Sequence, residues 1–193
     1  VRSSAASDVY KRQNVSCGEM DGVSAARSGR SRLMVDVGTN GEIVLFHKER
    51  LICCATAAGP AFEGAGLSCG MRGVAGAIDH VNWENGSWKV HVIGDREAST
   101  AEGICGSGVI DGVAGLLESG LLEDTGYLEE DVCFAGNVGL TAEDIREVQL
   151  AKGAIRAGME TLLAEEKMDA AGLEGLYAVS YTHLRAHETE LHL

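Results

Sequence analysis

Residues 33–45 read LMVDVGTNGEIVL. An apolar run, Leu33–Val37, carries one carboxylate, Asp36, near its end and has the character of a buried strand. Gly38, Thr39, Asn40 and Gly41 then form a tight turn, and Glu42–His47 is a second β-rich run. Gly38 and Gly41 permit positive φ and close backbone approach. The N–H groups of Thr39, Asn40 and Gly41 can converge on an anion, with the Thr and Asn side chains adding polar contacts. Asp36 could then hold hydrated magnesium or orient a water for phosphoryl chemistry. A plain hairpin built on a D-x-G turn is the structural alternative.

Further along the chain, Arg50–Ala55 makes a third strand after the turn Lys48-Glu49. A hairpin directly after the first strand argues against a plain dinucleotide-binding unit, which would proceed to a helix. Thr56–Arg72 is a long small-residue loop. Ala77–Trp83 and Trp88–Ile93 are two more strands around Glu84-Asn85-Gly86, where Asn-Gly signals a hairpin. Gly103–Gly108 is a second glycine-rich turn opening a helix at about Val109–Ser119. Val109, Ile110, Val113, Leu116 and Leu117 would line its buried face, and Gly120 ends it. A long helix follows from about Ala142 to Lys167. Thr141 is its N-cap, Asp144 sits where a capping-box acid belongs, and Ile145, Val148, Ala151, Ile155, Met159 and Leu162 form its buried stripe. Leu173–Ala178 begins a last strand. The order predicts an α/β layer protein with a mixed sheet and flanking helices.

Composition bounds the function. The chain has 193 residues, 45 % of them hydrophobic and 23 % charged, which is globular material rather than a disordered segment. Its 16 basic and 29 acidic residues leave a net charge of −13, and no basic patch interrupts it, so a nucleic-acid partner is not expected. No apolar run reaches the roughly 20 residues of a membrane helix, and no leader is evident, so the expectation is a cytoplasmic protein without a membrane. The six cysteines form no C-x-x-C pair, which argues against a zinc or iron–sulfur site within the chain and for reduced thiols.

Gly106, Ser107 and Gly108 offer bare backbone at a helix start, which is either an anion site or close helix–sheet packing. Gly66-Leu67-Ser68-Cys69-Gly70 matches the G-x-S-x-G nucleophile pattern. Small-residue flanks and the lack of a triad rule out a hydrolase elbow. His80 and His91 read as satisfied structural histidines. On the polar face of the long helix lie Arg146, Gln149, Lys152, Gly153 and Arg156. Gln149 and Lys152 are three apart and could reach a base or ribose edge, although a solvated face is the plainer reading.

Four blocks together, LMVDVGTNGEIVL, CATAAGPAFEGAGLSCGMR, GICGSGVIDGVAGLLESGLL and DIREVQLAKGAIRAGMETLL, resemble the C-terminal domain of the reductive activators of corrinoid-dependent methyltransferases. The resemblance covers nearly all of 33–178. It implies an actin-like ATPase lobe of the sugar-kinase, heat-shock-70 and actin superfamily, with a ribonuclease-H-like mixed sheet. It implies ATP and Mg2+ as ligands. Asp36 would be the magnesium or water-orienting acid and the catalytic group, and Gly38, Thr39, Asn40 and Gly41 the phosphate loop. Gly106, Ser107 and Gly108 would belong to the same cleft, and Gln149 and Lys152 would flank the adenosine side. The implied activity is the ATP-dependent return of a corrinoid protein from Co(II) to Co(I), with a 2Fe–2S ferredoxin domain expected only in a missing N-terminal part and a homodimer allowed. A non-hydrolysing docking domain, or a small-molecule kinase of the same fold, are the rival readings. Residues 3–13 and 179–193 resemble translated sequencing-adapter reads and lack a periodic apolar face. The domain is therefore expected over 14–178, with 1–13 and 179–193 set aside as artefacts and the lobe inactive alone.

Overall fold

A computed structural model of the chain describes residues 31–94, 96–179 and 190–191. The reading of 1–13 and the start of the expected domain, 14–30, lie outside these residues, as does nearly all of 180–193. The described chain forms two compact units. No helix among the described residues is long and apolar enough to cross a membrane.

The first unit comprises the described residues up to 37, then 41–56, and those from 155 onward. Its sheet has the order β10 (Glu190–Leu191), β9 (Gly175–Val179), β1 (Arg32–Val37), β2 (Gly41–His47), β3 (Arg50–Thr56). Strand β1 (Arg32–Val37) pairs antiparallel with β2 (Gly41–His47), in a register running from Arg32 opposite Phe46 to Val37 opposite Gly41. Strand β3 (Arg50–Thr56) continues the meander. The turn between β2 and β3 is Lys48-Glu49, as the sequence predicts, and both residues have positive φ, 46° and 62°. Two-residue hairpins need this conformation to match strand twist. Strand β9 (Gly175–Val179) joins β1 in parallel, so the sheet is mixed. The two-residue β10 (Glu190–Leu191) pairs with β9 inside the stretch that the sequence reading set aside.

Leu33, Val35, Ile43 and Leu45 point to one sheet face and are buried with Leu162 and Leu163 of the long helix. Gly158 lets that helix lie on the strands. A Cβ there would come within 2.6 Å of the side chains of Ile43 and Thr56.

The second unit comprises 38–40 and 57–154. Strands β4 (Ala77–Glu84) and β5 (Ser87–Val92) form the hairpin over Asn85-Gly86, and β6 (Gly103–Ile104) pairs parallel with β4. Helix α1 (Gly106–Ser119) packs on this sheet and ends at Gly120 in the left-handed conformation. Hairpin β7 (Val132–Ala135) and β8 (Val138–Leu140) was not foreseen. Its Phe134 is buried edge-on against Trp88, with ring centroids 4.8 Å apart. Helix α2 (Ala142–Glu165) gives its first part to this unit and its last part to the other.

Two expectations are corrected. Helix α1 starts at Gly106, three residues earlier than predicted, so Gly106–Gly108 form its first turn rather than a loop before it. Its buried face is also different. Val109 and Leu116 are fully buried, but Ile110 and Leu117 are 50 % and 43 % exposed. Gly108, Gly112 and Gly115 take their place, because a glycine face lets the helix approach the sheet and Phe134 more closely than branched side chains would allow.

Candidate functional site

The bend after β1 holds an anion of the protein's own. Gly38 donates its N–H to the Asn40 carbonyl at 3.1 Å, which closes the bend. Thr39 then presents two donors outward. Its N–H reaches Glu63 Oε1 at 3.1 Å and its hydroxyl reaches Oε2 at 2.8 Å. The Thr39 carbonyl accepts the Gly59 N–H at 2.9 Å, which ties the bend to the loop that carries Glu63. A Cβ on Gly38 would lie 3.0 Å from Glu63 Oε1. So one residue of the donor set read from the sequence, Thr39, receives an oxyanion, a carboxylate, through its amide and its hydroxyl.

Glu63 was missed by the sequence reading. It is the single acidic residue in 56–72. It ends one 3-10 turn, Ala61–Glu63, closed by Gly64 at a φ of 72°. An acid flanked by Gly59 and Gly64 in a loop of small residues was the available signal.

Asp36 sits opposite Glu42 across the β1–β2 ladder, and both are half-buried. Burial, and then the charge of Asp36, push the Glu42 carboxyl above the usual range, against a smaller opposing backbone hydrogen bond.

The Gly59–Arg72 loop, for which the sequence offered no role, is anchored at both ends. Near its start it bonds Thr39. Further on, Ser68 donates its N–H and hydroxyl to Asp144 at 2.8 and 2.6 Å. Asp144 also accepts the Thr141 N–H at 2.9 Å, while its own N–H reaches the Thr141 hydroxyl at 3.2 Å, completing the predicted capping box on α2. Burial alone would raise the Asp144 pKa, but these bonds from Ser68 and Thr141 hold it below the usual carboxylate range. The G-x-S-x-G stretch is thus an anchoring bend, since its serine is committed to a capping acid.

Gly106 and Gly108 are explained by close packing. A side chain on Gly106 would strike the Phe62 carbonyl, and one on Gly108 the Ile78 carbonyl. Phe62 precedes Glu63, so the start of α1 lies against the same turn that occupies Thr39. Ser107 Oγ is 3.3 Å from Cys105 Sγ. Gln149 donates to the Thr125 carbonyl at 3.1 Å, against Gly126, and so is engaged with that bend rather than with the Thr39 turn. Lys152 is exposed. His80 bonds Asp111 at 3.0 Å and His91 bonds Asp79 at 2.5 Å, in keeping with their structural reading. Among the described residues no group of three or more His, Cys, Asp or Glu could hold a metal ion, and Cys53, Cys54, Cys69, Cys105 and Cys133 are free thiols.

Comparison with known proteins decides the family. Residues 30–179 match the family described as the C-terminal domain of RACo, the ASKHA domain. The chain belongs to this RACo C-terminal domain family. It is 37 % identical to the corrinoid activation enzyme RamQ of Eubacterium limosum, with 68 % of this chain and 27 % of that protein covered. It is 36 % identical to the [Co(II) methylated amine-specific corrinoid protein] reductase of Methanosarcina barkeri, with 75 % and 31 % covered. Among solved structures, it is similar to a reductive activator for corrinoid, iron–sulfur protein, at a TM-score of 0.72 and 34 % identity, covering 81 % of this chain and 28 % of that one. The chain therefore spans about a third or less of the length of these relatives. The RACo domain assignment bears out the resemblance read from the four blocks, and with it the actin-like α/β fold of mixed sheets and flanking helices.

Proposed function

We propose that this chain supplies nucleotide-phosphate binding within an ATP-dependent reductive activator that returns a corrinoid protein from Co(II) to Co(I). The observation that carries the reading is the Thr39 turn, which grips a carboxylate with one amide and one hydroxyl. A phosphoryl group offers the same oxygens with more charge. In this reading Gly38, Thr39, Asn40 and Gly41 hold phosphate oxygens. Asp36 holds Mg2+ through its waters. The first turn of α1, Gly106–Gly108, lies beside that turn. Gln149 and Lys152 form the side nearest the base. Bound ATP acts by differential affinity for two arrangements of the whole activator, since a ligand shifts an equilibrium only by such a difference. The electron comes from a 2Fe–2S domain elsewhere in the activator, and the partner is a cytoplasmic corrinoid protein.

The test uses an activator carrying this domain, MgATP and a cob(II)amide protein, with cobalt oxidation state followed by its absorption. Asp36→Ala is expected to abolish nucleotide-dependent reduction while leaving the circular dichroism spectrum intact. Undiminished turnover would overturn the role of Asp36. A second reading, a non-hydrolysing docking domain, draws on the same contacts, because the Gly38 and Thr39 amides already have partners within the chain. It predicts no nucleotide dependence at all.

A further inference from the structure

The occupant of the Thr39 turn has a consequence beyond phosphate binding. We propose that Glu63 is a built-in competitor of the phosphate: its carboxylate fills the turn in the resting chain and must leave before a phosphoryl group can enter. The inference rests on the phosphate-binding reading of that turn.

Three features support it. The contacts are those an oxyanion makes: amide to one oxygen at 3.1 Å, hydroxyl to the other at 2.8 Å, and a bare Gly38 alongside whose Cβ would approach the same carboxylate to 3.0 Å. A phosphoryl oxygen and Oε1 cannot share the Thr39 N–H, and their like charges repel at that distance. Thr39 is exposed, so the carboxylate is held by hydrogen bonds in contact with water rather than locked in a core. A multiply charged phosphate can displace it there. Finally, Glu63 rides on a short segment, Pro60–Glu63, between Gly59 and Gly64, whose φ values are 80° and 72°. The turn itself is held, by buried Ala61 and by the packing of the Phe62 carbonyl over Gly106, so the carboxylate leaves by rotation of the Glu63 side chain alone. Glu63 is thus the sensor of occupancy: the phosphate's arrival converts a bound carboxylate into a free one beside the start of α1.

The experiment measures MgATP binding to an activator carrying this domain by calorimetry, with adenosine as the control. Glu63→Gln keeps an acceptor for Thr39 but removes the charge, and Glu63→Ala empties the turn. Both are expected to tighten MgATP by about tenfold or more, a shift of about 1.4 kcal/mol, and to leave adenosine unchanged. Binding of MgATP by the variants where the unaltered chain shows none supports the proposal equally. Unchanged or weaker MgATP binding in folded Glu63→Gln overturns it. Thr39→Ala separates the two claims. If it loses MgATP while the Glu63 variants bind as the unaltered chain does, the turn binds phosphate but Glu63 does not compete. If Thr39→Ala binds MgATP normally, or if no form binds it, the phosphate reading falls and the competitor with it.

Discussion

Glu42 and Asp144 act on stability with opposite signs. Glu42 has a raised folded pKa, from burial and the charge of Asp36. Its folded state prefers the proton, so the chain loses stability as pH rises from the ordinary Glu value of about 4.3 through the raised one. Asp144 is the reverse. Its pKa is held down by Ser68 and Thr141, so its contribution is complete above the ordinary Asp value of about 3.9 and disappears as pH falls through the folded value. Glu42→Gln should therefore raise the melting temperature at pH 7 and leave it unchanged at pH 4. Thermal unfolding at the two pH values checks this, and a lower melting temperature at pH 7 would show that ionised Glu42 stabilises the ladder. Asp144→Ala should cost about 2–4 kcal/mol at pH 7, since a 3 % exposed carboxylate with three donors around it is lost. Denaturant unfolding reads that cost, and it should shrink below pH 3.

Among the helices and strands, glycine has two opposite meanings. Gly153 is an exposed interior position of α2 with nothing within 4 Å of an added Cβ. Gly106 starts α1 beneath the Phe62 carbonyl. Gly153→Ala should stabilise by about 0.5–1 kcal/mol through helix propensity, and Gly106→Ala should destabilise by about 1–3 kcal/mol through overpacking. Urea midpoints of the two variants decide it, and a neutral Gly106→Ala would mean that the Phe62 turn yields freely. The strands around Lys48-Glu49 and Asn85-Gly86, and helix α2 with its Thr141–Asp144 box, were legible because local chemistry specifies them. The start and face of α1 were not. There the determinant is which backbone passes above each glycine, a long-range fact that periodicity of side chains does not carry. Hairpin β7–β8 was missed for a similar reason. Its strands, of 4 and 3 residues, are too short for alternation to register, and the Phe134–Trp88 contact that fixes it joins distant positions.

Across the full chain, the family and fold were legible from the order of four long blocks, whereas Glu63, which decides what the Thr39 turn holds, was not. A donor-rich turn can be read from a sequence, but the acid that satisfies it comes from 24 residues away. The global charge adds a second constraint. With 16 basic and 29 acidic residues, the chain repels anions at long range. The same imbalance acts on the fold. Three described arginine–carboxylate pairs, Arg50–Glu166, Arg96–Glu102 and Arg156–Glu160, are attractive, but such pairs contribute at most about 1 kcal/mol each when their arginines reach solvent. A net charge of −13 opposes compaction over the entire surface. Screening at about 0.3 M salt shortens the Debye length below about 10 Å and weakens both, but it removes more of the long-range repulsion than of these direct contacts. The melting temperature should therefore rise by about 2–4 °C between low salt and about 0.3 M sodium chloride, the shift that roughly 1 kcal/mol produces in a domain of this size. A fall over that range would show that the ion pairs, not the acidic excess, dominate the electrostatics of this lobe.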